Sequence, residues 1–152
     1  MGTTDSGFAI RPAGADDCAG VWRLVCALEG RALPYDRFAA IYARQLADPR
    51  CRCLVCASAD GLAGVLNLRL EEQLHHAARV AEIMEFAVLP AYRGRGMGRK
   101  LLAAACGLAA QAGCAQIEAA CNQRRADAHR FYLRAGMQNT HFKFTLPLPA
   151  QP

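Results

Sequence analysis

Apolar positions along this chain recur with two periods, and the switches between them mark out the elements. A short first strand is read at Phe8 to Arg11, followed by Pro12. A helix follows over about Ala15 to Glu29, with Asp16 and Asp17 in the first turn, where acidic side chains meet the positive end of the helix dipole. A second helix, roughly Tyr35 to Leu46, carries Phe38, Ile41, Tyr42 and Leu46 at helical spacing. It ends before Asp48-Pro49, because a residue preceding proline is pushed out of the helical region. These two helices are expected to lie close together. Strands at Arg52 to Ser58 and Ala63 to Leu74 are joined by Ala59-Asp60-Gly61, a hairpin signal because Asp-Gly tolerates positive φ.

A loop around His75 to Arg79 leads to a third long strand, Val80 to Leu89, and then through a glycine-dense turn into a helix over about Gly98 to Ala112. Gly113 closes that helix. A strand at Gln116 to Cys121 precedes a helix over about Asp127 to Arg134, stopped by Gly136, and a last strand is expected at His141 to Leu146, ended by Pro147 and Pro149. The order is β-α-α-β-β-β-α-β-α-β, an α/β class with a mixed sheet. No internal repeat or long linker breaks it, and only the first six and last five residues read as loose tails.

Composition narrows this further. At 152 residues with 53% hydrophobic positions, the chain reads as a single domain over 1–152, with an ordered core of about 7–147 and no staples needed. No apolar run approaches the roughly 20 residues of a membrane span, and Met1 to Gly7 lacks the basic and apolar regions of a signal peptide. A cytoplasmic location with no membrane partner is expected. The eight cysteines are scattered through core-forming elements, so reduced thiols are expected rather than a disulfide framework. Cys51, Cys53 and Cys56 come nearest to a metal pattern. Strand periodicity puts the first two on one face and the third on the other, with no second pair to match. The net charge of +5, with arginine supplying 16 of the 18 basic residues, favours small anionic ligands or acidic partners. It is too modest and dispersed for a nucleic-acid surface.

The chemistry concentrates in Val88-Leu89-Pro90-Ala91-Tyr92-Arg93-Gly94-Arg95-Gly96-Met97-Gly98-Arg99-Lys100. A strand that enters a glycine turn and then a helix aims backbone N–H groups and a helix N-terminus at one place, which makes an anion cradle. Gly94, Gly96 and Gly98 are expected at positive φ, with Arg93, Arg95, Arg99 and Lys100 adding charge. A dinucleotide fingerprint starting at Gly94 fails where its third glycine would be Arg99, although Glu118 lies about where an acidic ribose ligand would be sought. The Gly-Lys-Ser/Thr of a P-loop is absent. Arg-x-x-Gly-x-Gly is met by Arg93, Gly96 and Gly98.

With this turn, the downstream Asn122, and Tyr132-x-x-x-Gly136, nearly the whole chain resembles the GCN5-related N-acetyltransferases (GNAT). The resemblance implies a mixed, mostly antiparallel twisted sheet flanked by helices. It also implies acetyl-CoA as co-substrate, with its pyrophosphate on Arg93 to Arg99, Met97 included, and its pantetheine arm along Phe86, Ala87 and Val88. Asn122 either reaches the cofactor or caps the last helix.

The implied reaction moves an acetyl group from a thioester to a primary amine in a ternary complex. An alkylammonium must lose a proton before it attacks, and a carboxylate can take it directly or through water. Glu82 and Glu85 are the candidates. Glu82 is preferred because its register resembles that of the catalytic glutamate in histone-acetylating members, whereas Glu85 is placed on the opposite side or at a bulge. Tyr132 occupies the family's general-acid position, and as a tyrosine with a polar handle it can also serve as a core aromatic.

Within the family, Asp127 to Arg134, His141 to Thr145, Leu74-His75-His76, Asp48-Pro49 and Glu82-Ile83 resemble the aminoalkylphosphonate N-acetyltransferases. A dianionic phosphonate calls for arginine or lysine. Arg69, Arg130 and Lys143 are candidates, with His75, His76, His129 and His141 as donors and Glu85 as a further substrate contact, and each also reads as a structural or solvated residue. A divalent metal bridging phosphonate oxygens is an open expectation, made awkward by the diverging side chains expected of adjacent His75 and His76. A homodimer is likewise open. The alternatives are acetylation of another small amine or a protein amino group, and a non-enzymatic acetyl-CoA-binding regulator.

Overall fold

The computed structural model describes residues 7–151. The loose tail expected over the first six residues lies outside them. The described chain divides into two compact units, one running to Ala119 and one starting at Ala120.

The first unit holds a five-stranded sheet in the order β1-β2-β3-β4-β5, with β1 at Ala9–Pro12, β2 at Cys51–Ser58, β3 at Gly61–Gln73, β4 at Ala78–Val88 and β5 at Gln116–Ala119. The pairs β1/β2, β2/β3 and β3/β4 are antiparallel, and β5 is parallel to β4. Helix α1, Cys18–Glu29, follows a 3-10 turn at Ala15–Asp17, and α2 spans Tyr35–Ala47. Asp17 anchors that turn, accepting from Gly14 N–H at 2.8 Å while pairing with Arg11. The Tyr42 hydroxyl donates to the Gly14 carbonyl at 2.7 Å and ties α2 to the same turn.

Alternation along β3 builds two cores. Val65 points to one face and packs with Val21, Leu24, Val25, Tyr42, Val55 and Ala87 under α1 and α2. Leu66, Leu68 and Leu70 point to the other and are buried there. Helix α3, Met97–Gln111, covers that second face with Met97, Leu101, Leu102, Ala105 and Ala109. Gly64 sets how closely it sits: a Cβ there would come within 3.0 Å of Leu101 Cδ1 and 3.2 Å of the Ala87 carbonyl. The hairpin between β2 and β3 turns at Ala59-Asp60, and Gly61 takes φ 123°.

The second unit contains α4, Ala126–Arg134, closed by Gly136 at φ 91°. His141 to Leu146, expected as a strand, forms none, and residues 137–151 carry neither helix nor strand. Phe142, Phe144 and Leu146 are 81%, 91% and 83% exposed. Alternating apolar residues make a strand only where a second strand supplies the ladder, and among the described residues none pairs with this segment. No described helix is long and apolar enough to cross a membrane.

Candidate functional site

The glycine turn forms as the spacing requires, with one correction. A 3-10 turn at Pro90–Tyr92 leads to Arg93, and Gly94 and Gly96 take φ 76° and 78°, Gly96 being the left-handed residue that starts α3. Gly98 does not share that conformation, because it lies in the first turn of α3, where ordinary helical φ is enough. A Cβ at Gly94 or Gly96 would meet nothing within 4 Å, so backbone conformation rather than space demands glycine there. Arg93 Nε donates to the Val88 carbonyl at 3.2 Å, and the Arg95 guanidinium sits 5.5 Å from the Tyr92 ring centroid. Arg95 and Arg99 are exposed at the helix N-terminus. These residues suit a pyrophosphate by charge and by donor direction.

Strand β4 carries the next part. Its ladder with β5 runs from Val80↔Gln116 to Ile83↔Ala119 and stops, while β4 continues to Val88 along β3. Where that ladder ends, the pairing with β3 shifts: Ile83 faces Leu68 but Glu85 faces Asn67, so Met84 is the extra residue of a bulge. Directly opposed residues share a face, and Asn67 and Arg69 alternate onto the same side of β3. Their partners, Glu85 and Glu82, therefore also share a face, although three positions in an unbroken strand would separate them. Of the two expectations for Glu85, the opposite side is overturned and the bulge is present: the extra residue Met84 puts both candidate carboxylates on one face, the α1/α2 side. Glu82 stands between Arg69 on β3 and Glu118 on β5.

Beside Glu85 is a cavity of about 620 Å³ between α1, α2 and the sheet. Val21, Val25, Phe38 and Tyr42 give it apolar walls, with Gln45, Cys53, Asn67 and Glu85 as its polar edge. Burial pushes the Glu85 carboxyl above the ordinary carboxylate range, and Glu29 pushes the same way, while a hydrogen bond from Asn67 holds it back. Burial also raises the Cys53 thiol to about 12, which keeps it protonated and inert. Cys56 lies on the opposite face and is buried, as the periodicity requires. All eight cysteines are free thiols.

Arg69 pairs with Glu71, and Arg50 pairs with Asp48 at 3.0 Å. The four side chains act on one another electrostatically at the open end of this face. Asn67, Gln45 and Arg50 are not among the residues to which the sequence motifs point. The signal for Asn67 is legible in hindsight: Leu66, Leu68 and Leu70 occupy one face of β3 and Val65, Asn67 and Arg69 the other, so an amide stands at a position that packing alone would give to an aliphatic residue.

The remaining candidates lie elsewhere. His75 and His76 are on a 3-10 turn at Leu74–His76, and their rings do not diverge: the centroids are 4.3 Å apart, since the turn replaces strand alternation. His76 Nδ1 also contacts Gln73 Oε1 at 2.7 Å. Among the described residues no three His, Cys, Asp or Glu side chains converge on a metal position. In the second unit, burial raises the Tyr132 phenol to about 12, so it stays protonated across the neutral range. Asn122 Oδ1 accepts from Arg124 N–H at 2.9 Å, a local turn, and α4 begins after Arg125 without a side-chain cap. His129 Nε2 meets the Asn122 carbonyl at 2.8 Å, and Arg130 pairs with Asp127. Lys143 is exposed in the segment without helix or strand, as is His141.

Residues 22–137 match the family described as Acetyltransferase (GNAT) family. The chain is similar to an aminoalkylphosphonate N-acetyltransferase of Salmonella typhimurium, with 39% identity over 139 residues, covering 91% of this chain and 90% of the relative. Among solved structures, a transcriptional regulator from Bacillus halodurans C-125 superposes with TM-score 0.85 at 22% identity, covering 93% of this chain and 99% of the other. A structure of AAC(6')-Iy in complex with a bisubstrate analogue of CoA gives TM-score 0.84 at 16% identity, covering 95% and 100%. At those identities the two structures speak to the fold alone.

Proposed function

The chain belongs to the GNAT acetyltransferase family, and from that premise we propose that it transfers the acetyl group of acetyl-CoA to the primary amine of small aminoalkylphosphonates. The observation that carries the acceptor class is the 39% identity, over nine-tenths of the chain, to a relative of that name. Two features of the first unit agree with it. A carboxylate pair, Glu82 and Glu85, shares one face with Arg69, so that face offers anionic groups for an ammonium and a cation for a phosphonate.

Acetyl-CoA, when bound, supplies the acetyl group as an activated thioester. The chain's own residues do the rest. Backbone N–H groups from Arg93 to Arg99 hold the pyrophosphate, with Gly94 and Gly96 giving the turn its left-handed geometry. The stretch Phe86, Ala87 and Val88 follows the point where the β5 ladder ends, and there it would line the pantetheine arm. Asn122 remains a further cofactor contact. Glu82 takes the ammonium proton, so that the free amine attacks in a ternary complex. Backbone N–H groups of β4 steady the carbonyl oxygen as charge develops. Tyr132, held protonated, would give its proton to the thiolate as the C–S bond breaks. The proton that the attacking nitrogen still has to lose as the amide forms would restore the phenol, while the proton on Glu82 passes to water. Arg69 takes the phosphonate, and His75, His76, His129, Arg130 and Lys143 stand as further acceptor contacts. No step of this scheme is routed through a metal. The protein acts as a cytoplasmic enzyme.

Thiol release from acetyl-CoA measured across a panel of amines tests the acceptor. The expected order puts aminomethyl- and aminoethylphosphonate first by kcat/KM. A preference for amines without phosphonate, or for a peptide amine, would replace this acceptor with another in the same family.

A further inference from the structure

We infer that Asn67, clamped between Glu85 on β4 and Gln45 on α2, is a positioning residue that aims the Glu85 carboxylate at the ammonium of the acceptor, so that this trio reads the amine end of the substrate. The inference rests on the reading that a small primary amine is acetylated at this face.

Asn67 Nδ2 donates to Glu85 Oε2 at 2.8 Å and to Gln45 Oε1 at 3.0 Å. Chemistry fixes which way round this amide lies. An ionised carboxylate only accepts, so Asn67 must present its NH₂ group to Glu85, and the second proton of that group then goes to the Gln45 carbonyl. Both donors are spent on holding two side chains, one from the sheet and one from a helix. No other hydrogen bond reaches the Glu85 carboxylate among the described residues, which leaves its second oxygen to a ligand in the cavity it lines.

The surroundings select a cation. The cavity is walled mainly by apolar side chains, and a carboxylate there is costly unless a partner compensates it. The groups that act on Glu85 are an amide and a second carboxylate, Glu29 of α1. From β2 it meets the thiols of Cys51 and Cys53, both raised by burial and partly by Glu85 itself. From α2 come Tyr42 and Gln45, and Asp48 and Arg52 line the same cavity. Arg69 and Glu82 stand further along the shared face. An ammonium therefore meets a carboxylate already oriented, while the phosphonate end falls to Arg69, two residues from Asn67 along β3, where it competes with Glu71 for the guanidinium.

Two readouts on the full-length protein test this. The first is the pH dependence of kcat/KM with 2-aminoethylphosphonate as acceptor. Removing the Asn67 hydrogen bond lets burial push the carboxyl higher still, so in Asn67→Leu the acidic limb moves to higher pH and KM for the amine rises about tenfold, with KM for acetyl-CoA unchanged. In the Glu85→Gln background, Asn67→Leu should move neither, because its effect runs through Glu85. An acidic limb that stays in place in Asn67→Leu overturns the inference. The second readout needs no turnover: the Glu85 carboxyl is titrated by NMR in wild type and in a thermally stable Asn67 variant, Leu or Ser. Ethylammonium should lower its midpoint in wild type, and ethylphosphonate should not. A midpoint indifferent to ethylammonium overturns the inference whatever is acetylated. A shift without turnover of any small amine would instead leave the trio standing and remove the proposed reaction.

Discussion

The two ends of β4 build for ligands in different ways. At the far end the chain leaves the strand through Pro90 to Gly96 and offers backbone: left-handed glycines, N–H groups and a helix N-terminus. In the middle of the strand it offers side chains, and which of them share a face depends on one unpaired residue, Met84. A backbone cradle depends on conformation and is indifferent to most side chains. A side-chain site is rewritten by single substitutions. One fold can thus keep its acyl donor while its acceptor changes.

That contrast can be broken hardest at the proposed acid–base residues, Glu82 and Tyr132. Glu82→Gln is expected to cut kcat by about 10²–10⁴-fold and to flatten the acidic limb of the pH profile of kcat, which reports the base with the amine bound, whereas Glu85 shows in the limb of kcat/KM. An unaltered limb would move the base to Glu85 or a water chain. Tyr132→Phe should lower kcat comparably with cofactor affinity intact, as measured by acetyl-CoA titration, and unchanged turnover would reject its role as acid.

A smaller effect is expected in the cradle. Gly96→Val forces a branched side chain into φ 78°, at a cost of about 1–2 kcal/mol. KM for acetyl-CoA should rise roughly tenfold with KM for the amine unchanged. If the amine KM rises instead, the division between backbone and side-chain sites fails.

The smallest effect is on stability. The Glu85 carboxyl is raised in the fold, so the folded protein holds that proton more tightly than the unfolded chain does. Stability from this group is complete below the unfolded value of about 4.3 and is lost as pH rises through the folded one. Glu85→Gln should therefore raise Tm at neutral pH, with the gain fading as pH falls toward the unfolded value. A loss of Tm at neutral pH would mean that the charge is compensated in the free protein.

Sequence spacing carried the cradle because everything that makes it is local: Arg93, Gly94 and Gly96 lie within one turn, and their conformational demands travel with them. Gly98 departs from the expected positive φ for a related reason, since a glycine in a turn motif looks the same whether φ requires it or the helix merely admits it. The carboxylate face was only half legible. Glu82 and Glu85 could be named as candidates, but their shared face depends on pairing with Arg69 and Asn67, residues of another strand. Gln45 was further out of reach, because it joins the site only through the packing of α2 on the sheet. The exposed run from Phe142 to Leu146 has the alternation of a strand without a ladder to enter.

The bulge at Met84 has a practical consequence for anyone lining up relatives of this chain. A gap slid by a single position through the middle of β4 exchanges inward and outward columns beyond it, and would take a residue of the opposite face for Glu85. Comparisons of acceptor preference across such proteins are therefore better anchored on the pairs Arg69↔Glu82 and Asn67↔Glu85 than on the letters of β4 alone.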